Sequence, residues 1–447
     1  MRHFLPALAL LLAAPAATAA PSLIALAKIA PDALDLSGRH ANLENGVPGD
    51  RLGGFGSAIT YAGGDTFLAL PDRGPNADKW NPAVNDTSSY VPRLLTFDMP
   101  LKPATGALPF ELTPRLTGTT LFYSATPLVY GTAPVPYGNE AHRFYFTGRS
   151  DAFDPAQNSA DPADARLDNE GLRLARDGKS VFVSDEYGPH LYRFDRQTGE
   201  RLAVIALPDS FAVAHPGQEG DAETEANTSG RVANKGMEGL SITPDGSHLI
   251  GAMQSPLIQD GGVKAGTTRI IVIDLKSGQT RQYAYALDAV GTPEKPKYAD
   301  ISEIIAVNDH QFLVDEHDTK GLGNGKVAQM KRLYLIDLDG AADVSAISGA
   351  DTLAAKAVKK SVFLDIVAAY TARGLPAADI PSKIEGLAFG RDLTVGGKTQ
   401  HTLWVSTDND FMLKDEKTGA PTPSDIMVFA FDPADLPGYE PQILDGK

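Results

Sequence analysis

Apolar residues in this chain gather in short runs rich in Val, Ile, Leu, Phe and Tyr, punctuated by Gly, Pro, Asp or Asn. Such runs predict β-strands joined by tight turns. They also recur as a unit. In the clearest copy Glu170-Gly171-Leu172 opens a strand, Asp177-Gly178 makes a turn, and Val181-Phe182-Val183 leads into Ser184-Asp185-Glu186. A third strand, Leu191 to Phe194, closes on Asp195. Further copies begin at Glu238-Gly239-Leu240, Ser302-Glu303-Ile304 and Glu385-Gly386-Leu387, and a divergent one at Gly56-Ser57-Ala58. Their second strands end at Gln254-Ser255-Pro256, Asp315-Glu316-His317-Asp318, Asp408-Asn409-Asp410 and Asp72-Arg73-Gly74 respectively.

The four glutamates lie 68, 65 and 82 residues apart, and Ser57 lies 113 before Glu170. Repeats of this size, built from short antiparallel strands, predict an all-β fold: a β-propeller with five readable blades. The 113-residue interval has room for a sixth blade around Arg143 to Thr147, but no acidic signature accompanies it, so it reads as an insertion. Leu23 to Ile29 is placed to supply the outer strand of the last blade. Polar segments at 151–168, 215–234 and 410–424 read as long loops, and Asp351 to Lys360 as a short helix within a partly helical insertion. Residues 21–447 are expected to form one domain.

In a propeller the first strand of each blade lines the central channel, and its start lies beside the end of the second strand. Glu170, Glu238, Glu303 and Glu385 are therefore expected at one face of the ring, together with Asp72, Asp185, Asp315 and Asp408. So many carboxylates cannot all stay ionised and unpaired in a confined space. Arg73, Lys235, Lys383 and Arg332 are candidate partners, but the acids outnumber them. A hard divalent cation remains, and calcium suits a flexible mixture of oxygen ligands better than magnesium. The alternative is that each glutamate only hydrogen-bonds its neighbouring blade and fixes the ring. Asp98, Asp195, Asp274, Asp337 and Asp432 close the third strands and read as turn residues. His190 and His317 read as surface histidines, with acid–base work as the alternative.

Composition narrows the chemistry. Among 447 residues, 40 basic and 56 acidic side chains give a formal charge of −16, which argues against nucleic-acid binding. The absence of cysteine excludes disulfides, zinc–thiolate sites, iron–sulfur clusters and cysteine nucleophiles. No Gly-x-Ser-x-Gly elbow occurs. Residues 1–20 read as a signal peptide, with Arg2 and His3 before the apolar stretch from Phe4 to Ala14 and a small-residue site at Ala17-Thr18-Ala19. An exported monomer, periplasmic or secreted and without a membrane span, is the expectation.

At these residues the chain resembles the phytase-like family described as having esterase-like activity. The resemblance rests on Gly56-Ser57-Ala58 with Pro71-Asp72-Arg73-Gly74, Asn169-Glu170-Gly171-Leu172 with Ser184-Asp185-Glu186, and Gly236-Met237-Glu238-Gly239-Leu240. It continues in Ile384-Glu385-Gly386-Leu387 with Ser406-Thr407-Asp408-Asn409, so it covers roughly residues 40 to 432. It implies a propeller that hydrolyses phosphate esters with calcium. In that reading Glu170, Glu238, Glu303, Glu385, Asp72, Asp315 and Asp408 hold metal, and Asp185, Glu316 or Glu238 acts on the attacking water. Arg73, Lys235 and Lys383 bind the small anionic ester. A calcium-dependent carboxylic ester or lactone hydrolase, and a non-catalytic binding propeller, are the alternatives.

Overall fold

Each repeated unit folds as an antiparallel sheet of four main strands, which pair in chain order in the first four units. The structure is a computed structural model describing residues 21–292, 294–395 and 397–445; the expected signal peptide, residues 1–20, lies outside them. The first blade is Ala58–Gly63, Thr66–Leu70, Arg93–Asp98 and Arg115–Leu121. The second is Asn169–Leu174, Ser180–Asp185, His190–Asp195 and Arg201–Ala206. Met237–Ile242, His248–Met253, Thr267–Asp274 and Thr280–Ala286 make the third. The fourth is Asp300–Ala306, Gln311–His317, Lys331–Asp337 and Lys360–Asp365. In the fifth, Lys383–Phe389, Lys398–Asp408 and Ser424–Phe431 are completed by Ser22–Ile29. That N-terminal strand closes the ring as expected, and Lys28 pins it through an ion pair to buried Asp425 at 2.7 Å.

The apolar cores lie between blades. Leu68, Leu70 and Leu94 of the first blade pack against Leu172, Val181 and Tyr192 of the second, and each later junction repeats the arrangement. A strand covered on both faces has no solvent side, which explains why the runs alternate so poorly. The 113-residue interval adds no blade: Phe144–Tyr145 pairs only with Tyr123–Ser124. The expected helix is shorter than read, Ala350–Ala354, and the chain from Lys360 is the fourth blade's outer strand instead. Its pairing with Lys331–Asp337 holds the chain extended from Lys360 onward.

The repeated glycines have a steric cause. A Cβ on Gly386 would lie 2.8 Å from the Ile59 nitrogen and 2.3 Å from Ser406 Oγ, and one on Gly171 2.4 Å from Leu240 Cβ. The inner strands therefore converge on the axis at a distance only glycine allows. Gly386→Ala is expected to destabilise the protein by about 1–3 kcal/mol through overpacking, read as a lower melting temperature. An unchanged melting temperature would mean the inner strands can part.

Midway down the channel sits Arg173, buried, donating from Nη2 to the Ile304 carbonyl at 2.8 Å and from Nη1 to the Ile59 carbonyl at 3.2 Å. It pairs with Glu303 at 2.9 Å. This ion pair separates the acidic end from a cavity of about 470 Å³ at the far end. The C-terminal segment crosses that end, Glu440 N–H donating to Val307, Ile443 to Pro244 and Asp445 to Arg176, each at 2.8 Å.

Candidate functional site

The carboxylates reach the mouth through β-bulges. The register slips between Met237 and Gly239, between Ile384 and Gly386, and between Asn169 and Leu172, so Glu238, Glu385 and Glu170 each fall in an irregularity. A bulge re-aims a side chain relative to a regular ladder. In the fourth blade the slip falls between Ile301 and Glu303, so the bulged residue is Ser302. Glu303 instead occupies the level of Gly239 and Gly386, and its carboxylate goes to Arg173 and the backbone N–H groups of Leu240 and Ile304. It is therefore not beside Glu170, Glu238 and Glu385, contrary to the spacing. Burial pushes its carboxyl up to about 7 even with Arg173 opposing.

Two more expected positions differ by one residue. Asp185 and Glu316 share a register position, opposite Asn169 and Ile301. Asp185 accepts hydrogen bonds from Asp168, Tyr187 and Gly188 N–H groups at 3.0–3.2 Å, which commits both its oxygens to the turn. Glu316 turns toward the third blade, bonded to Tyr285, Lys360 and the Asp288 N–H, and has no place at the mouth. The next residues along are Glu186 and His317. Asp315, opposite Glu303, is buried with neither oxygen hydrogen-bonded to a described residue.

What the fold does bring together is a chain of carboxylates. Glu170, Glu186 and Glu238 form one group whose oxygens lie within 4.8 Å of one another; Asp72, Asp168 and Glu170 form a second, and Asp72, Asp408 and Asp410 a third. Asp168, Glu186 and Asp410 were not among the expected ligands. Asp410 and Glu186 stood in the acidic clusters, but only strand register separates them from their neighbours. Seven grouped carboxylates, with Glu385 beside them, thus share one opening with two cations among the described residues. Arg73 is buried and paired with Asp168, and lies 3.9 Å from Glu186. Lys383 lies 2.7 Å from Asp410, 3.3 Å from Asp408 and 3.5 Å from Glu385. Lys235 is set to one side, 3.0 Å from Asp300 and 3.2 Å from Gln254 Oε1.

The electrostatics follow from that imbalance. Burial, then the charge of Glu238, pushes Glu170 well above the usual carboxylate range. Burial, then Glu186 and Glu385, does the same to Glu238. Asp72 rises to about 6 through burial, offset in part by Arg73. Asp72 Oδ1, Asp168 Oδ1, Asn169 Oδ1 and Glu385 Oε2 are buried without a hydrogen-bond partner among the described residues. Crowded, under-neutralised hard oxygens with free lone pairs fit a hard metal cation.

His190 and His317 are buried, not on the surface. His317 Nε2 lies 2.7 Å from Ser302 Oγ and Nδ1 2.9 Å from the Asp318 carbonyl, and burial, then Lys331, keeps the ring well below its ordinary pKa. His190 is held to about 4 by burial. Asp195, Asp274, Asp337 and Asp432 bond backbone N–H groups two residues on, as turn residues do; Asp98 instead pairs with Arg115.

Five blades around an acidic channel mouth define the class, a β-propeller with a candidate metal centre. The model of the phytase-like family, described as esterase-like activity of phytase, matches residues 50–411, and the chain belongs to that family. An uncharacterized secreted protein of Arthroderma benhamiae is 32% identical over 277 residues, 53% of this chain and 51% of that protein. The chain spans about half the length of this curated relative. Among solved structures, a periplasmic gluconolactonase of Pseudomonas aeruginosa is 13% identical, with 84% of this chain and 88% of that one covered and a TM-score of 0.35. A 6-phosphogluconolactonase-like protein of Bacteroides uniformis is also 13% identical, with 82% and 86% covered and a TM-score of 0.32.

Proposed function

We propose that the protein is an exported calcium-dependent hydrolase of phosphate esters, working at the carboxylate-lined mouth. The observation that carries this reading is the convergence of seven grouped carboxylates, with Glu385 beside them, on an opening where Arg73 and Lys383 are the cations that pair with them among the described residues. Asp72, Asp168, Glu170, Glu186 and Asp408, spread over three overlapping groups, would hold metal, with Asp410 beside Lys383 and Glu385 completing the rim. Calcium, when bound, would neutralise the ester's charge and acidify a water. Glu238 is the residue to take the proton from that water, because its carboxylate stands within the same group as Glu170 and Glu186, beside the metal they would hold. Gln254 Nε2 donates to Glu238 Oε1 at 3.1 Å and holds its orientation. Lys235, the expected cation least committed to the mouth, would meet the anionic ester. Export rests on residues 1–20 and agrees with the secreted name of the fungal relative; among the described residues, no helix is long and apolar enough to cross a membrane.

One observation favours a carboxylic ester or lactone: Arg73 and Lys383 are tied to carboxylates, which leaves few cations for a phosphoryl group. A substrate panel decides. Chelator-stripped protein is expected to hydrolyse nitrophenyl phosphate only after calcium is restored, and faster than nitrophenyl acetate or a simple lactone. Faster acetate or lactone turnover would transfer the site to carboxylic esters. Stabilisation by calcium without turnover on any of them would make it a binding propeller.

A further inference from the structure

We infer that a cavity beside the mouth, between the third and fourth blades, is the binding subsite for the non-reacting part of the substrate, and that this part is an amphipathic organic anion. The proposal deepens the hydrolytic reading of the mouth by naming what the site accepts. The cavity measures about 400 Å³, within the range of small-ligand pockets. Lys235, Lys297, Lys320 and Lys326 line it against two acids, Asp300 and Asp318. Asp300 is taken by Lys235, and Asp318 by buried Lys331 at 3.3 Å. Among the described residues Lys297 and Lys326 make no ion pair. A surplus of positive charge thus stands in one concavity of a chain whose formal charge is −16, a local reversal that attracts an anion.

The wall between the lysines is apolar. Leu287, Val290 and Tyr298 contribute to it, which suits a hydrocarbon portion as well as a charged head. The cavity also communicates with the chemistry. Lys235 Nζ donates to Gln254 Oε1 at 3.2 Å, and Gln254 Nε2 donates to Glu238 at 3.1 Å, so two hydrogen bonds link the lysine side to the proposed base. A substrate anchored there would extend its ester toward Glu238 while its anionic head stays among the lysines, apart from the carboxylate cluster. A phosphonate or phosphate head and a carboxylate head share this chemistry, and the test separates them.

Hexylphosphonate, heptanoate, inorganic phosphate and hexanol are titrated calorimetrically into calcium-loaded wild-type and Glu238→Gln protein. Hexylphosphonate or heptanoate is expected to bind at least tenfold tighter than phosphate or hexanol, because only the amphipathic anions use both surfaces. Lys297→Ala/Lys326→Ala is expected to weaken that binding roughly tenfold, at up to about 0.7 kcal/mol per charge. Lys179→Ala/Lys276→Ala, an equal charge change on remote turns, should leave it unaltered. Stronger heptanoate binding supports the subsite with a carboxylate head, and stronger hexylphosphonate binding supports it with a phosphoryl head. Equal affinity for phosphate and hexylphosphonate with heptanoate no tighter, or no effect of the lysine pair, overturns the proposal. Lysine-dependent binding without turnover of any ester leaves the subsite standing and removes the hydrolytic reading; turnover indifferent to the lysines does the reverse.

Discussion

Glu238→Gln is expected to lower calcium-restored turnover by about 10²–10⁴-fold, the range for loss of a positioned acid or base. Its effect on stability should change sign with the metal. Without calcium, Glu238 is a buried carboxyl raised by its burial and then by Glu186 and Glu385, so a neutral amide relieves repulsion and the stripped variant should melt no lower than stripped wild type. With calcium at a hundredfold excess over its dissociation constant, the wild type gains about 2.7 kcal/mol. The variant, lacking one oxygen charge in the group with Glu170 and Glu186, should gain less. The measurement is a melting curve in chelator and in calcium, beside nitrophenyl phosphate turnover. Undiminished turnover removes Glu238 from the mechanism. Equal calcium stabilisation of both proteins removes it from the metal's surroundings.

Arg173→Met is expected to cost about 3–5 kcal/mol, the usual consequence of leaving a buried charge without its partner. Arg173 bridges the second blade to carbonyls of the first and fourth, and its charge, with the N–H groups of Leu240 and Ile304, offsets that of Glu303. The Glu303 carboxyl already stands at about 7 in the folded protein, through burial, against about 4.3 in an unfolded chain. For an acid raised on folding, the folded state holds the proton longer, so stability is fully present below the unfolded value and lost as pH rises through the folded one. Removing Arg173 lifts the folded value further. The deficit of the variant should therefore be larger at pH 8 than at pH 5, read by urea unfolding at both. Arg173→Met/Glu303→Leu should recover most of the loss, because both charges leave the interior together. A single variant as stable as wild type at pH 8 would show that the channel pair is not a fastening.

Particular residues show where the linear pattern sufficed. Asp177-Gly178 and the Glu-Gly-Leu openings signal turns and inner strands through contacts near in sequence, so blade count, strand order and the closing strand at Leu23 to Ile29 were all legible. The repeat also placed Glu170, Glu238, Glu385, Asp72 and Asp408 at one face. It failed at the scale of one residue. Spacing cannot tell Glu303 from Ser302, because the bulge that reassigns the channel position is a feature of strand pairing. Asp185 ends its strand and Glu186 lies one residue beyond, and of the two Glu186 joins the cluster with Glu170 and Glu238.

The distribution of cations was less legible still. Arg73 and Lys383 stand near acids in sequence, yet their partners include Asp168, a blade away from Arg73, and Asp410, across the turn from Lys383. Lys297 and Lys326 sit in unremarkable loops, and their shared cavity exists only because two blades meet. The local order of apolar, turn and acidic residues thus determined the propeller and its acidic face, since strands and turns answer to near neighbours. Ring closure and bulged pairing decided which carboxylates converge, which cations oppose them and where a lysine-lined cavity remains, because those relations join residues far apart in the chain.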